Sequence, residues 1–426
     1  MTIMSKTDGL ILNRIFAMPD EKLIRFCFAA VIIWIISPIA ALLSNLLGID
    51  GYNFCGVWLT FLYVSGALGL IFGGLFLFKM YSFSDAELRA KLMLSEPLIL
   101  VGTVFLWAVF CTLFAGEKTI AIYGYEKFHD NLFVYLFYGG MITAGIAVKN
   151  SEKYLLKSAE AFLCVAASLS FVSLVNNGVT NKLCRNSLTE TDGHEAVFFD
   201  TEHFAMYLVM AIIVCAFLVL RLSKTGGRII VLFALGLMVA ALAFTGSLAG
   251  LIALALVSLF TILRYNKLPA SSLKVLLLEL SVCLVVYILI VSVFKVVPAF
   301  PENMLVFWRN TLKKVGENAV VGIGPQNTLG YAYNVYLKIC LYLGVPGLLL
   351  YLAAFITAAR ELISQNMKMP LYAVAAVMTA IGYVIFTFFG STMFYTAPYF
   401  YIVIGIIFGK CLEPLGKTVK VNCDKN

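Results

Sequence analysis

The chain has 426 residues, 62% hydrophobic and only 13% charged, so it lacks the polar residues needed to cover a water-facing globule of this length. The formal net charge of +8 comes from 31 Lys and Arg against 23 Asp and Glu, and its distribution follows membrane topology rather than a nucleic-acid footprint. Three soluble domains, the expectation from length alone, are excluded because the apolar residues fall in long blocks.

Each block is near the roughly 20 residues that span a bilayer as a helix. In chain order they predict twelve spans, near 24 to 47, 54 to 78, 97 to 115, 131 to 148, 154 to 175, 204 to 220, 229 to 246, 248 to 263, 275 to 294, 334 to 358, 371 to 389 and 397 to 411. Backbone groups have no water partner in hydrocarbon, so such segments are helices or a closed barrel, and runs without alternation exclude the barrel. The expected fold class is therefore all-α, a polytopic membrane bundle forming one domain over residues 1 to 426. The first block is long, lies beyond a basic segment and shows no cleavage site, so it is expected to remain as span one.

Orientation follows the basic residues. With the N-terminus inside, 22 Lys and Arg lie on the inner side, among them Arg221, Lys224, Arg228, Lys410, Lys417, Lys420 and Lys425, and nine lie outside. The acidic residues split evenly, 12 inside and 11 outside, as expected if positive charge alone carries the signal. Both termini are expected in the cytoplasm.

Ten cysteines are scattered, mostly within spans, and none shows C-x-x-C or metal-ligand spacing. Cys184 in an outer loop and Cys55 near an outer helix end are the one pair a disulfide could join. Two outer loops are long, about 176 to 203, acidic in its second half, and about 295 to 333. Long loops in a tightly connected bundle are where binding or catalysis concentrates. All three histidines, His129, His194 and His203, fall in outer loops or at their junctions. In the second loop Met304, Leu305, Trp308, Leu312 and Val315 recur at helical spacing with Arg309 and Lys313 on an adjoining face, which predicts an interfacial amphipathic helix.

From Trp308 to Phe355 the chain carries W-R-N-T-L-K-K, then G-I-G-P-Q-N, then Y-N-V-Y-L-K and L-G-V-P-G. This stretch resembles the bacterial O-antigen ligase and polysaccharide polymerase family, matching at Gly322, Gly324, Asn327, Asn334, Leu337, Gly344 and Gly347. The glycines also read physically as a tight turn followed by close helix approach. Weaker echoes lie at Tyr123 to Leu136, Phe199 to Leu208, Thr245 to Leu254 and Ala397 to Gly405. Two positions depart: Tyr333 stands where the family has His before Asn, and Gly246, Ser247, Leu248, Ala249 and Gly250 stand where it has an S/T-R-G junction.

The resemblance implies a glycosyltransferase of a bacterial cytoplasmic membrane that moves glycan from an undecaprenyl-diphosphate carrier onto a glycan or lipid-linked acceptor at the outer face, in company with other polysaccharide-assembly proteins. Such chemistry needs cations beside the departing diphosphate and a base beside the acceptor hydroxyl. Arg309 matches the family's Arg-containing helix and can fork phosphate oxygens, with Lys313 and Lys338 as further cations. His203 beside Glu202 is the candidate base, with Asp200 and Glu195 close in sequence, and Tyr333 is a candidate sugar contact. An outer group of Tyr331, Tyr333, Tyr336, Tyr395 and Tyr399 is available for sugar stacking. No metal site, Walker loop or dinucleotide fingerprint appears, so no cofactor is expected. The competing expectations are a transporter or flippase for a lipid-linked or polar solute, and a catalytically silent relative that assists glycan assembly.

Overall fold

A computed structural model describes residues 18–47, 51–83, 95–124, 129–179, 196–198, 200–222, 225–264, 283, 285–325, 333–364, 369–390 and 392–412. Helices account for nearly all of them: α1 (Asp20–Leu46), α2 (Gly51–Leu68), α3 (Gly74–Phe83), α4 (Glu96–Leu113), α5 (Lys118–Tyr123), α6 (Leu132–Lys149), α7 (Glu152–Val179), α8 (Thr201–Arg221), α9 (Thr225–Thr245), α10 (Leu248–Arg264), α11 (Val285–Phe294), α12 (Met304–Glu317), α13 (Val335–Ser364), α14 (Leu371–Phe389) and α15 (Ala397–Cys411). Among the described residues only an isolated bridge between Ser247 and Ala299 pairs in the manner of strands.

Among the described residues nine helical stretches, α2 and α3 together forming one, are long and apolar enough to cross a membrane; the expected spans at 248 to 263 and 397 to 411 correspond to shorter apolar helices, and most of the first half of the one expected at 275 to 294 lies outside the described residues. The chain is thus an all-α, multi-pass membrane protein. Their perimeter is greasy where it should meet lipid, with Ile71, Leu106, Ile229, Ile230 and Phe233 all exposed. Apolar side chains lose nothing by facing hydrocarbon, so packing inside the bundle must come from close fit instead.

α8 is the central pillar. Nearly every residue from Glu202 to Val219 is buried, against α7, α9, α10 and α14. A helix apolar on all sides is the kind that can be enclosed this way. Elsewhere the helices approach to backbone contact. A Cβ on Gly69 would collide with Gly140 O, and one on Gly140 with Gly66 O, so glycine at these positions sets the α2 to α6 distance. A π-turn at Gly69–Gly73 joins α2 to α3, and Thr143 donates to Gly69 O at 2.8 Å, supplying a partner where the helical ladder shifts.

α13 is broken at Gly344, whose φ of +69° is left-handed and favours glycine. The segment after α12 fits into the break. Val345 N donates to Ala319 O at 2.8 Å, Ile323 N to Leu341 O at 2.9 Å and Gly324 N to Tyr342 O at 3.0 Å. Backbone groups freed by the break are satisfied by protein, which is what makes an interrupted helix tolerable in an apolar setting. The turn and the helix glycines of the family-like motif therefore serve one joint: Cβ atoms on Gly322 or Gly344 would each strike the other strand of the contact. Gly347 packs beside Trp107, whose indole donates to Leu343 O at 2.7 Å.

α12 forms where the spacing places it, but its apolar residues do not share one inward face. Met304, Thr311 and Val315 are buried and Trp308 is half-buried, whereas Leu305 and Leu312 are 71% and 54% exposed beside Arg309 and Lys313. The helix packs one side on the bundle and leaves the other exposed, and its hydrophobic residues divide between the two.

Candidate functional site at one end of the bundle

Four helices begin at the same end of the bundle, and each is capped by a polar side chain. Asn131 accepts from Val134 N at the start of α6, Asp200 from His203 N at α8, Ser247 from Gly250 N at α10 and Asn334 from Leu337 N at α13. Asn334 also donates to Phe388 O at 2.9 Å, tying the start of α13 to the end of α14. Helix N-termini carry partial positive charge, so this end is favourable to anions.

Asp200 does more than cap. Its Oδ1 lies 2.8 Å from His203 N and 2.6 Å from His203 Nδ1, so one carboxylate oxygen holds both the backbone and the ring. Burial opposes the charged carboxylate, but the His203 contacts outweigh it and hold Asp200 below the usual carboxylate range. With Asp200 ionised, it is Nδ1 of His203 that donates in this contact, which leaves Nε2 as the ring nitrogen not held by Asp200. The His203 ring is fully buried, edge-on to Tyr395 at 6.0 Å. Glu202, one residue away, turns to the other side and accepts from Ser247 Oγ at 2.8 Å. Ser247 sits in a turn stapled by Leu248 N to Ala299 O and Ala299 N to Gly246 O.

A second polar pair lies beside the first. Lys338 Nζ is 2.6 Å from Asp130 Oδ2 and donates to Thr392 O at 2.6 Å, and Thr392 Oγ1 is 2.9 Å from Tyr383 Oη. The short connection from α14 to α15 joins the two clusters: Thr392 meets Lys338, Phe394 meets His129 edge-on at 5.8 Å, and Tyr395 meets His203. Tyr333 completes the group. Its phenol is raised above the ordinary value by burial and then by the neighbouring carboxyls of Asp200 and Glu202, so it stays protonated near neutral pH. Its carbonyl receives the Trp308 indole N–H at 3.2 Å.

Of the residues singled out in the sequence, His203, Glu202, Tyr333, Lys338 and Asn334 are brought to this end together. Arg309 and Lys313 lie on α12 and are exposed. Asn327, Tyr331, His194, Cys184 and most of the loop from 176 to 203 lie outside the described residues. The aromatic group expected to stack on sugar must be corrected: Tyr395 and Tyr399 are buried at 0% and 4%, packed with Trp34, Trp58 and Tyr207, and Tyr336 donates to Val384 O. Cys55 Sγ lies 3.1 Å from Tyr395 Oη. Among the described residues no group of His, Cys, Asp and Glu could hold a metal.

Sequence reasoning missed Asp130, Ser247 and Thr392, and favoured Glu202 over Asp200 as the partner of His203. The signals were present but weak. Asp200 stands three before His203 at a helix start, the spacing of an N-cap whose side chain reaches back to the third residue. Asp130 and Ser247 fall within two of the faint family-like stretches, Tyr123 to Leu136 and Thr245 to Leu254.

Fold and site together define a multi-pass helical membrane protein with a buried acid, base and cation cluster at one end of its bundle. No protein-family model matches the chain, and neither does any curated protein.

Proposed function

We propose that the chain is a glycosyltransferase that polymerises or ligates undecaprenyl-diphosphate-linked oligosaccharide units at the outer face of a bacterial cytoplasmic membrane. In this reading it crosses the membrane twelve times with both termini in the cytoplasm, and the His203 end faces outward. The observation that supports it best is the pairing of an oriented histidine with a nearby lysine: Asp200 holds Nδ1 of His203, and Lys338 lies across the connection that carries Thr392 and Tyr395.

The chemistry assigns each group a task. His203 Nε2 takes the proton of the acceptor hydroxyl as the acceptor oxygen bonds to the anomeric carbon, and the bond from that carbon to the carrier diphosphate breaks. Negative charge then grows on the diphosphate, where Lys338 and the four helix N-termini stabilise it. Asp200 stabilises the imidazolium that forms, as an orienting carboxylate does for other histidine bases. Glu202 fixes the turn at Ser247, and Tyr333, protonated, hydrogen-bonds a sugar hydroxyl. Arg309 and Lys313, exposed on α12, gather the anionic carrier headgroup at the membrane surface before transfer. No cofactor is required, because the carrier-linked donor is already activated.

The experiment is a chain-length profile of envelope polysaccharide and of carrier-linked intermediates in cells with the gene, without it and with it restored. Single units replacing long chains on deletion identify a polymerase, and long chains stranded on the carrier identify a ligase. Unchanged pools overturn the proposal. One observation favours a second reading, transport of a lipid-linked or polar solute: α13 is interrupted at Gly344 within the same molecule that buries the Lys338 and Asp130 pair, and broken helices with buried charge occur in transporters.

A further inference from the structure

A cavity of about 370 Å³ runs between α4, α6, α13 and α15, a volume in the range of small-ligand sites. Its charge is confined to one end. Asp130, Lys338 and Thr392 line it at the helix starts, while the deeper lining is uncharged and mostly apolar, with Ile142, Ala354 and Ile404 beside Thr143, Tyr351 and Tyr401. Along α6 the lining runs from Tyr135 to Thr143, about 12 Å of helix axis. Gly102, exposed on α4 near Ile99 and Leu106, also lines it, so the cavity reaches the lipid-facing perimeter.

We infer that this cavity holds the apolar chain of an isoprenyl phosphate lipid, with its phosphate at Lys338 and the Asp130 carboxylate as the counter-ion that the phosphate replaces. Charged at the helix ends and uncharged and mostly apolar toward the bundle centre is the order of a lipid lying parallel to the helices, head first. Lys338 and Asp130 are only 12% and 11% exposed and 2.6 Å apart, so neither charge is stable here without an opposite one. A phosphate can satisfy Lys338 as Asp130 does, which makes the carboxylate a competitor for the same ammonium. The inference takes its headgroup and chain class from the carrier-linked reading and adds where the carrier lies and what competes with it.

The cavity wall permits a direct test. A Cβ on Gly102 meets nothing within 4 Å and one on Gly139 meets only Leu70 Cδ2 at 4.0 Å, so larger side chains there enter the open space rather than a neighbouring helix. The full chain in phosphatidylcholine nanodiscs is titrated with a radiolabelled isoprenyl monophosphate of four isoprene units. Saturable binding is expected, abolished by Gly139→Phe or Gly102→Trp, weakened about tenfold by Lys338→Gln, restored by Lys338→Arg and tightened by Asp130→Asn. Thermal midpoints in the same nanodiscs identify any variant that fails to fold, and having two cavity-filling variants keeps the test decisive. Absent binding, or binding unchanged by both Gly139→Phe and Lys338→Gln, overturns the inference. So does equal displacement by phosphatidylglycerol, which would make the occupant bulk lipid, or by the unphosphorylated isoprenol, which would remove Lys338 from recognition. Because the assay reads binding without transfer, its failure leaves the glycan profile to decide the function, and a normal glycan profile leaves a positive binding result standing.

Discussion

A single oxygen of Asp200 receives both the backbone N–H and the ring Nδ1 of His203, so the residue that starts α8 also sets the orientation of its histidine. One side chain thereby couples helix capping to chemistry. His203→Gln is expected to lower transfer by about a hundredfold or more, the usual range for a general base. Asp200→Asn keeps an acceptor for the backbone but exchanges the charge, so it should lower transfer while leaving the fold intact. Transfer rates in membranes measured against the thermal midpoint separate the two effects.

Asp200 also predicts a pH dependence of stability. Its native carboxyl titrates below the ordinary value, so the folded chain binds its proton less tightly than the unfolded chain does. The stabilisation is therefore complete above the unfolded value of about 3.9 and is lost as pH falls through the lower native value. Thermal unfolding in nanodiscs from pH 6 down to pH 3 should show a loss that Asp200→Asn removes. An identical acid slope in the variant would dissociate Asp200 from it.

Gly344→Ala should destabilise by about 3 kcal/mol or more, because it adds left-handed strain and drives a Cβ into Val320 O. Gly316→Ala, in α12 with nothing within 4 Å, is the matched control and should be near neutral or stabilising. Denaturant titration of the two variants reads the difference directly.

Arg309 is exposed on α12, so Arg309→Ala should leave the midpoint unchanged within about 0.5 kcal/mol. Long glycan should nevertheless disappear if Arg309 gathers the carrier headgroup. Normal glycan from this variant would leave the residue as a lipid-surface contact alone.

Topology is open to labelling. With accessible native thiols blocked, Lys313→Cys should react with an impermeant maleimide on intact cells, and Arg228→Cys only after permeabilisation. The reverse pattern would turn the bundle over and place the His203 cluster in the cytoplasm.

Apolar length and composition by themselves determined that this chain is an all-α membrane bundle, because hydrocarbon admits no other arrangement for runs like these. Helical spacing located α12, since an amphipathic period is a local property, and the family-like motif drew attention to Gly322, Gly324 and Gly344 as turn and close-approach positions. What they did not contain was partnership. That Gly322 and Gly344 press on one joint, that Asp200 rather than Glu202 holds His203, and that Asp130 meets Lys338 across 208 positions of sequence all depend on which helix ends meet. Likewise Tyr395 and Tyr399 look like available rings in the sequence and are core in the fold, because a periodic pattern shows that a helix has faces but not which neighbour each face receives. Local spacing fixes helices; only their packing places charges, caps and cavities against one another.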